Sequence, residues 1–402
     1  MRGVELHEGT PREAPDAGFS LVELLVATLI LLAVSGAVLG FLAPATTAFE
    51  TQPELSDVQQ RLRVTVSTLQ KHIAMAGAGA HAGVAAGSLG DYVAPVMPYR
   101  WGDAGADSPG TFRADTITVL YVPQTPAETA VVRTVSAAGP DTVLETRVDC
   151  GGSRHDDRCG FDEGMRVLVF EPRGNWDVGV AAHVSSNALQ LTRVDPFSSE
   201  YSSGHAVATE LASHTYYLHA DVRSRTFQLM HYDGVRTDMP VVDDVVRLEF
   251  RYWGDPLPPQ LLSPGAVESA PKTTYGPRPP ELGMPSGLPW PDGENCVFAV
   301  VDGAHVARLG VLHGGGGLAE LPASLFNDGP WCPHGASALR YDADLLRVRR
   351  IGVRLRVQAG AASFRGPASS LFLHGGTGRP SRYVPDQEIA LAIAPDNLHV
   401  RR

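Results

Sequence analysis

From Leu24 to Ala43 the chain reads LLVATLILLAVSGAVLGFLA, twenty residues without one charged side chain. At about 1.5 Å per residue a helix of this length reaches roughly 30 Å, the thickness of a bilayer's hydrocarbon core. The run is therefore expected to cross a membrane once, and Phe19 to Val22 extend it toward the N-terminus. Its one ionisable residue is Glu23. A carboxylate in hydrocarbon is penalised unless it has a partner or a purpose. The preceding segment, Met1 to Gly18, is polar throughout. In a secretory signal the small-residue cleavage site follows the apolar run. Here the small residue, Gly18, precedes it, so cleavage at that point would remove the polar part and leave the apolar part on the mature protein.

The remainder of the 402 residues is long enough for two or three compact units. Hydrophobic residues make up 44% and charged residues 19%, which excludes a wholly disordered chain. The formal charge is −11 and no long basic run exists, so a grip on nucleic acid through phosphates is not expected. With 42 glycines, 31 prolines and 7% aromatic residues, many turns, short strands and long loops are expected.

Beyond the span, Pro53 and Glu54 predict a restart of helix. Leu55, Val58, Leu62, Val66, Leu69, Ile73 and Ala76 then recur at steps of three and four, one apolar stripe on a helix. Gly77 and Gly79 end it. Three heptads followed by a β-rich region predict a stripe docked on a globular head rather than a coiled-coil seam. Short β-branched runs come next at 116–122, 130–135, 143–148, 166–170, 178–184 and 188–194, spaced as in an antiparallel module or small barrel. A second group occupies 215–220, 226–232 and 246–253, and strands return at 348–357 and 388–393. Residues 254–341 are low in regularity and dense in Pro and Gly, and read as an insertion. The expected division is a leader at 1–18, an N-terminal helix at 19–77 spanning the membrane over 19–43, a β-rich module at 78–214 and a C-terminal β head at 215–402.

The order Gly18-Phe19-Ser20-Leu21-Val22-Glu23-Leu24-Leu25-Val26-Ala27 resembles the N-terminal signal of type IV pilins and type II secretion pseudopilins. That resemblance implies that prepilin peptidase cuts after Gly18 and methylates the amine of Phe19. It also implies that Glu23 pairs with the Phe19 amine of a neighbouring subunit during assembly, with the carboxylate one helical turn from its own Phe19. The family's frequent proline is replaced by Gly40, with Pro44 four residues on. Gly36, Gly40 and Pro44 predict a weakened helix at this depth. The segment from Val58 to Gly77 and the blocks at 163–170, 216–218, 241–252 and 348–355 resemble PilW-type minor pilins and J-type pseudopilins. The implied fold is α+β and pilin-like: a long helix, half transmembrane and half amphipathic, packed on an antiparallel β-rich head.

Cys150, Cys159, Cys296 and Cys332 are the only cysteines. An even number in an exported chain suggests disulfides. Of three connectivities, the sequence-local one, Cys150–Cys159 with Cys296–Cys332, is expected, with closures worth roughly 2.7 and 3.8 kcal/mol in the chain-entropy model. No C-x-x-C knuckle supports zinc. His313 followed by four glycines resembles an esterase oxyanion loop, but no G-x-S-x-G elbow accompanies it, so a plain loop is expected. His155-Asp156-Asp157 in the small cysteine loop could bind a cation, but a solvated turn is expected, and Asp342 and Asp344 read as turn residues. The 14 histidines are scattered without ligand spacing, so no metal, cofactor or catalytic residue is expected.

The expectation is thus an assembly protein rather than an enzyme. Its partners would be prepilin peptidase, other pilins through the N-terminal helix, and the inner membrane before assembly. It would be a minor pilin of a type IV pilus or a J-type pseudopilin. The head would stand in the periplasm, then on a surface pilus or periplasmic pseudopilus. The reading from another class is a single-pass anchored periplasmic enzyme or binding protein.

Overall fold

The computed structural model describes residues 18–79, 89–91, 93–102, 105–108, 110–134, 141–146, 158–170, 176–192, 201–221, 226–258, 298–302, 304–313, 317–328, 331–332, 341–376 and 382–399. Leu21–Met75 form one 55-residue helix, α1. The predicted restart at Pro53 is not a restart. Pro44 and Pro53 both lie inside α1, as do Gly36 and Gly40. A proline removes one backbone hydrogen bond, and here strong helix formers flank the first site while tertiary packing holds the second. The helix stops at Gly77, whose φ of +79° a side chain would strain. A Cβ there would also strike Leu398. The Gly77 N–H instead bonds the Leu120 carbonyl at 3.1 Å.

The stripe docks as predicted. Val58, Leu69, Ile73 and Ala76 are fully buried, and Leu55, Leu62 and Val66 pack against the same core. Thr65, outside the stripe, is buried as well and bonds back to the Arg61 carbonyl at 2.8 Å.

The chain then forms β1 (Val96–Met97) and β2 (Thr116–Tyr121). Six strands come after them: β3 (Glu128–Thr134), β4 (Asp141–Thr146), β5 (Arg166–Phe170), β6 (Trp176–Ser185), β7 (Ala188–Thr192) and β8 (Ser202–Glu210). They close into a barrel in the order β3-β4-β7-β6-β5-β8. Next come β9 (Ala212–Asp221), β10 (Thr226–Tyr232), β11 (Asp238–Asp243) and β12 (Val245–Gly254). The hairpin β13 (Phe298–Val301) and β14 (Ala304–Ala307) precedes β15 (Ala319–Glu320), the short helix α2 (Ala323–Phe326) and the pair β16 (Trp331–Cys332) and β17 (Tyr341–Asp342). Finally β18 (Val348–Val357) and β19 (Gln387–Ile393) complete the head.

Outside the barrel lie a five-stranded sheet, β1-β2-β9-β10-β11, and a four-stranded sheet, β15-β12-β18-β19. Helix α1 packs against strands of both. The barrel is spliced between β2 and β9, which are direct neighbours in one antiparallel ladder. The division expected at 214/215 therefore falls inside β9, and the structural seams lie near 127 and 211. Likewise β15, from within 254–341, pairs with the end of β12, and Leu309, Leu321 and Phe326 join the main core.

Period-two alternation explains how the barrel docks. In β5, Val167 and Val169 point into the barrel, while Leu168 and Phe170 point into the core shared with α1. Strand propensity does not predict β8, because SSGHAVATE has little β character. It pairs with both β3 and β5 and so closes the barrel. Its Ala206 and Ala208 are fully buried, small side chains set among the larger Leu144, Leu189 and Leu191 of the barrel core.

Candidate functional site

At the N-terminus, Ser20 caps α1 in a capping box. The Ser20 N–H donates to Glu23 Oε2 at 2.9 Å, and the Glu23 N–H donates to Ser20 Oγ at 3.2 Å. Helix therefore begins after Phe19 rather than at it. Phe19 lies ahead of the cap and is 89% exposed. Glu23 is not stranded, since its own cap holds one carboxylate oxygen. A carboxylate offers about four acceptor sites, so capacity for a positive partner remains. From Leu21 to Leu42 the helix has a mean hydropathy of 2.5 and none of it is buried in the chain. Among the described residues this is one helix long and apolar enough to cross a membrane. Residues 1–17 of the expected leader lie outside the described residues.

The docked half is fixed by charge as well as by apolar contact. Asp244 sits between β11 and β12 with φ of +60°. It receives Arg61 of α1 at 2.7 Å and Arg365 at 2.8 Å. Burial pushes the Asp244 carboxyl above its usual range, opposed by Arg365 and Arg61. Nearer the membrane-facing half, Glu54 of α1 accepts the Gly360 and Ala361 N–H groups.

Three histidines that sequence spacing does not connect meet in the fold: His72 in the last turn of α1, His214 in β9 and His231 in β10. Their candidate ligand atoms lie within 4.8 Å of one another. Burial, with His231 and Lys71 adding to it, lowers the His72 pKa to about 4. Burial, with the neighbouring histidines, lowers that of His214 to about 3, and burial also lowers His231. All three imidazoles are thus neutral at neutral pH. His214 and His231 lie too far along the chain from His72 to make a local motif, so only the tertiary fold could reveal the group.

Asp328, Asp342 and Asp344 also approach one another. Their setting is structural: Asp342 caps the turn at 343–347, and Asp344 pairs with the fully buried Arg347 at 2.9 Å. Cys159 is disulfide-bonded. Its expected partner Cys150 lies outside the described residues, as do Cys296, His155-Asp156-Asp157 and three of the glycines after His313. Cys332 lies in β16. The pairings remain an expectation.

Residues 15–39 match the family model for the prokaryotic N-terminal methylation motif. Comparison with curated proteins gave no match, and neither did comparison with solved structures. Gly18, Phe19 and Glu23 fall inside the matched span, at the head of a wholly exposed apolar helix that continues into an antiparallel β-rich head. The chain thus carries a prepilin-type N-terminal methylation motif, the signal that prepilin peptidase reads, at the head of an α+β, pilin-like layout.

Proposed function

We propose that the chain is a minor pilin, assembled into a type IV pilus or priming its assembly. Prepilin peptidase cuts between Gly18 and Phe19 and methylates the new amine. Until assembly the Leu21–Leu42 segment sits in the inner membrane with the head in the periplasm. In the filament the same segment packs against other pilins, and Glu23 accepts the Phe19 ammonium of a neighbour. No catalytic role falls to the head.

The observation that carries this reading is the match at residues 15–39 on a helix whose first 22 residues find no cover within their own chain. Apolar surface on this scale must be covered by lipid or by other helices. The capping box sharpens the role of Glu23. Ser20 holds the carboxylate at the very start of the helix, where an incoming ammonium from an adjacent Phe19 can share it.

The experiment is to shear surface filaments from cells that make this chain and probe them for it. A minor pilin is present at a small ratio to the major subunit, and deleting its gene lowers filament number. Its absence from sheared filaments contradicts the proposal. A J-type pseudopilin of type II secretion is the second reading, favoured by the same motif. Its outcome is loss of protein secretion, with filaments unaffected, when the gene is deleted.

A further inference from the structure

The end of α1 meets the five-stranded sheet through a group of aromatic and imidazole rings rather than through aliphatic side chains. In the β9–β10 ladder His231 stands opposite Tyr216. His214, two residues earlier on β9, shares that face diagonally. Tyr121 of β2, opposite Ala212, lies on the same face. The last turn of α1 brings His72 onto it, with its ring centroid 3.8 Å from that of His214.

The polar contacts around the rings are ordered. His214 Nδ1 and His231 Nε2 are 2.8 Å apart and share a hydrogen bond. The Tyr121 hydroxyl is 3.1 Å from His214 Nε2, and the Tyr216 hydroxyl is 3.1 Å from His72 Nδ1. Where the ring N–H donates to the hydroxyl oxygen, the ring's orientation is fixed and its other nitrogen keeps the lone pair that ligates. That leaves His72 Nε2, His214 Nδ1 and His231 Nε2 to converge. Two nitrogens each bound at about 2.05 Å to a tetrahedral ion stand roughly 3.3 Å apart. On binding, the proton shared by the His214–His231 pair moves to His231 Nδ1 as that ring takes its other tautomer, and the two nitrogens open by about half an ångström.

We propose that His72, His214 and His231 form a site for one divalent transition ion of the zinc class, joining the end of α1 to β9 and β10. Three neutral imidazoles suit zinc, copper or nickel and not calcium or magnesium, which take oxygen ligands. Burial already holds the rings in the neutral form that ligates. The nearby acids are engaged elsewhere. Asp233 accepts the N–H groups of Val235, Arg236 and Thr237, and Asp238 binds Tyr217 and Arg100. Three protein ligands would leave a tetrahedral ion its fourth position for water. A bound ion would pin the docked half of the helix to the head, and this holds whether the chain serves a pilus or a secretion pseudopilus.

The test uses the full chain in detergent, stripped of metal with a chelator. Zinc is titrated calorimetrically, and cobalt is added as an optical probe. The expected result is one ion per chain, a cobalt spectrum of tetrahedral intensity, and a melting midpoint raised by about 3–8 °C at saturating zinc. His231→Gln should weaken zinc binding about tenfold or more. His219→Ala, on an exposed position of β9, should not. Circular dichroism in chelator shows whether each variant folds. If His231→Gln does not, the wild-type cobalt spectrum and stoichiometry decide alone. No stoichiometric binding, an octahedral cobalt spectrum, or unchanged affinity in folded His231→Gln overturns the proposal.

Discussion

Residues 21–42 and 51–75 belong to one helix, yet they solve opposite problems. In the first, every side chain is exposed, including Leu29 at 69% and Phe41 at 81%. In the second, one stripe is buried and the other faces are polar. The first has no polar face, as suits a helix with apolar surroundings on every side, and so shows no helical periodicity. It is strict in the second because one protein face meets it. The same backbone therefore carries a half that the chain leaves uncovered and a half made for the chain's own head. The charges divide in the same way. Arg61 and Glu54 tie the docked half to Asp244 and the Gly360 backbone, and Glu50, just ahead of it, pairs with Arg382. In the exposed half, among the described residues, Glu23 bonds only to the cap of its own helix.

The largest effect is expected where the outward half depends on a neighbour. Glu23→Ala should leave membrane insertion intact and abolish incorporation into filaments, read by fractionating membranes and sheared pili. Normal incorporation would remove the pairing role. The next effect belongs to the docked half. Leu69→Ala empties a fully buried site and should destabilise the head by about 2–5 kcal/mol in denaturant unfolding. Leu29→Ala, on the outward half, should leave that unfolding curve in place, and a comparable loss there would break the division.

Arg61→Ala comes third, at about 1–3 kcal/mol near neutral pH, since it removes one of the two guanidinium groups on half-buried Asp244. Its cost should shrink as the pH falls. Burial raises the folded-state pKa of Asp244 above its unfolded value, so ionisation opposes folding once the pH rises through that value. Losing Arg61 enlarges this opposition. At acid pH, where the carboxyl is protonated in both states, the variant and the parent should converge. A pH-independent difference would assign the loss to packing of the Arg61 stem. The smallest effect is local. Ser20→Ala removes the cap and should weaken the first helical turn by about 1 kcal/mol, seen as faster amide exchange near Val22 to Leu24 with the head unchanged.

Much of this division is legible in the chain itself. The uncharged run, Gly18 before it and the stripe from Leu55 to Ala76 are local patterns, and the strands at 166–170, 226–232 and 348–357 have the predicted bounds. The failures share one cause, the dominance of tertiary context over local pattern. Pro53 reads as a helix start, yet packing carries the helix through it. Strand β8 has weak propensity and exists because β3 and β5 flank it. The splice of a barrel between β2 and β9 cannot be read from spacing, because strands that pair need not be neighbours in sequence. His72, His214 and His231 are hidden for the same reason. They lie on three elements, and only the docking of α1 on β9 and β10 assembles them.

The central claim is that the outward half of α1 begins at a new amine created between Gly18 and Phe19. Mass spectrometry of the N-terminal peptide, from cells with a working prepilin peptidase, tests it most directly. The account predicts a chain starting at N-methylphenylalanine 19. A chain still beginning at Met1 in those cells would contradict it.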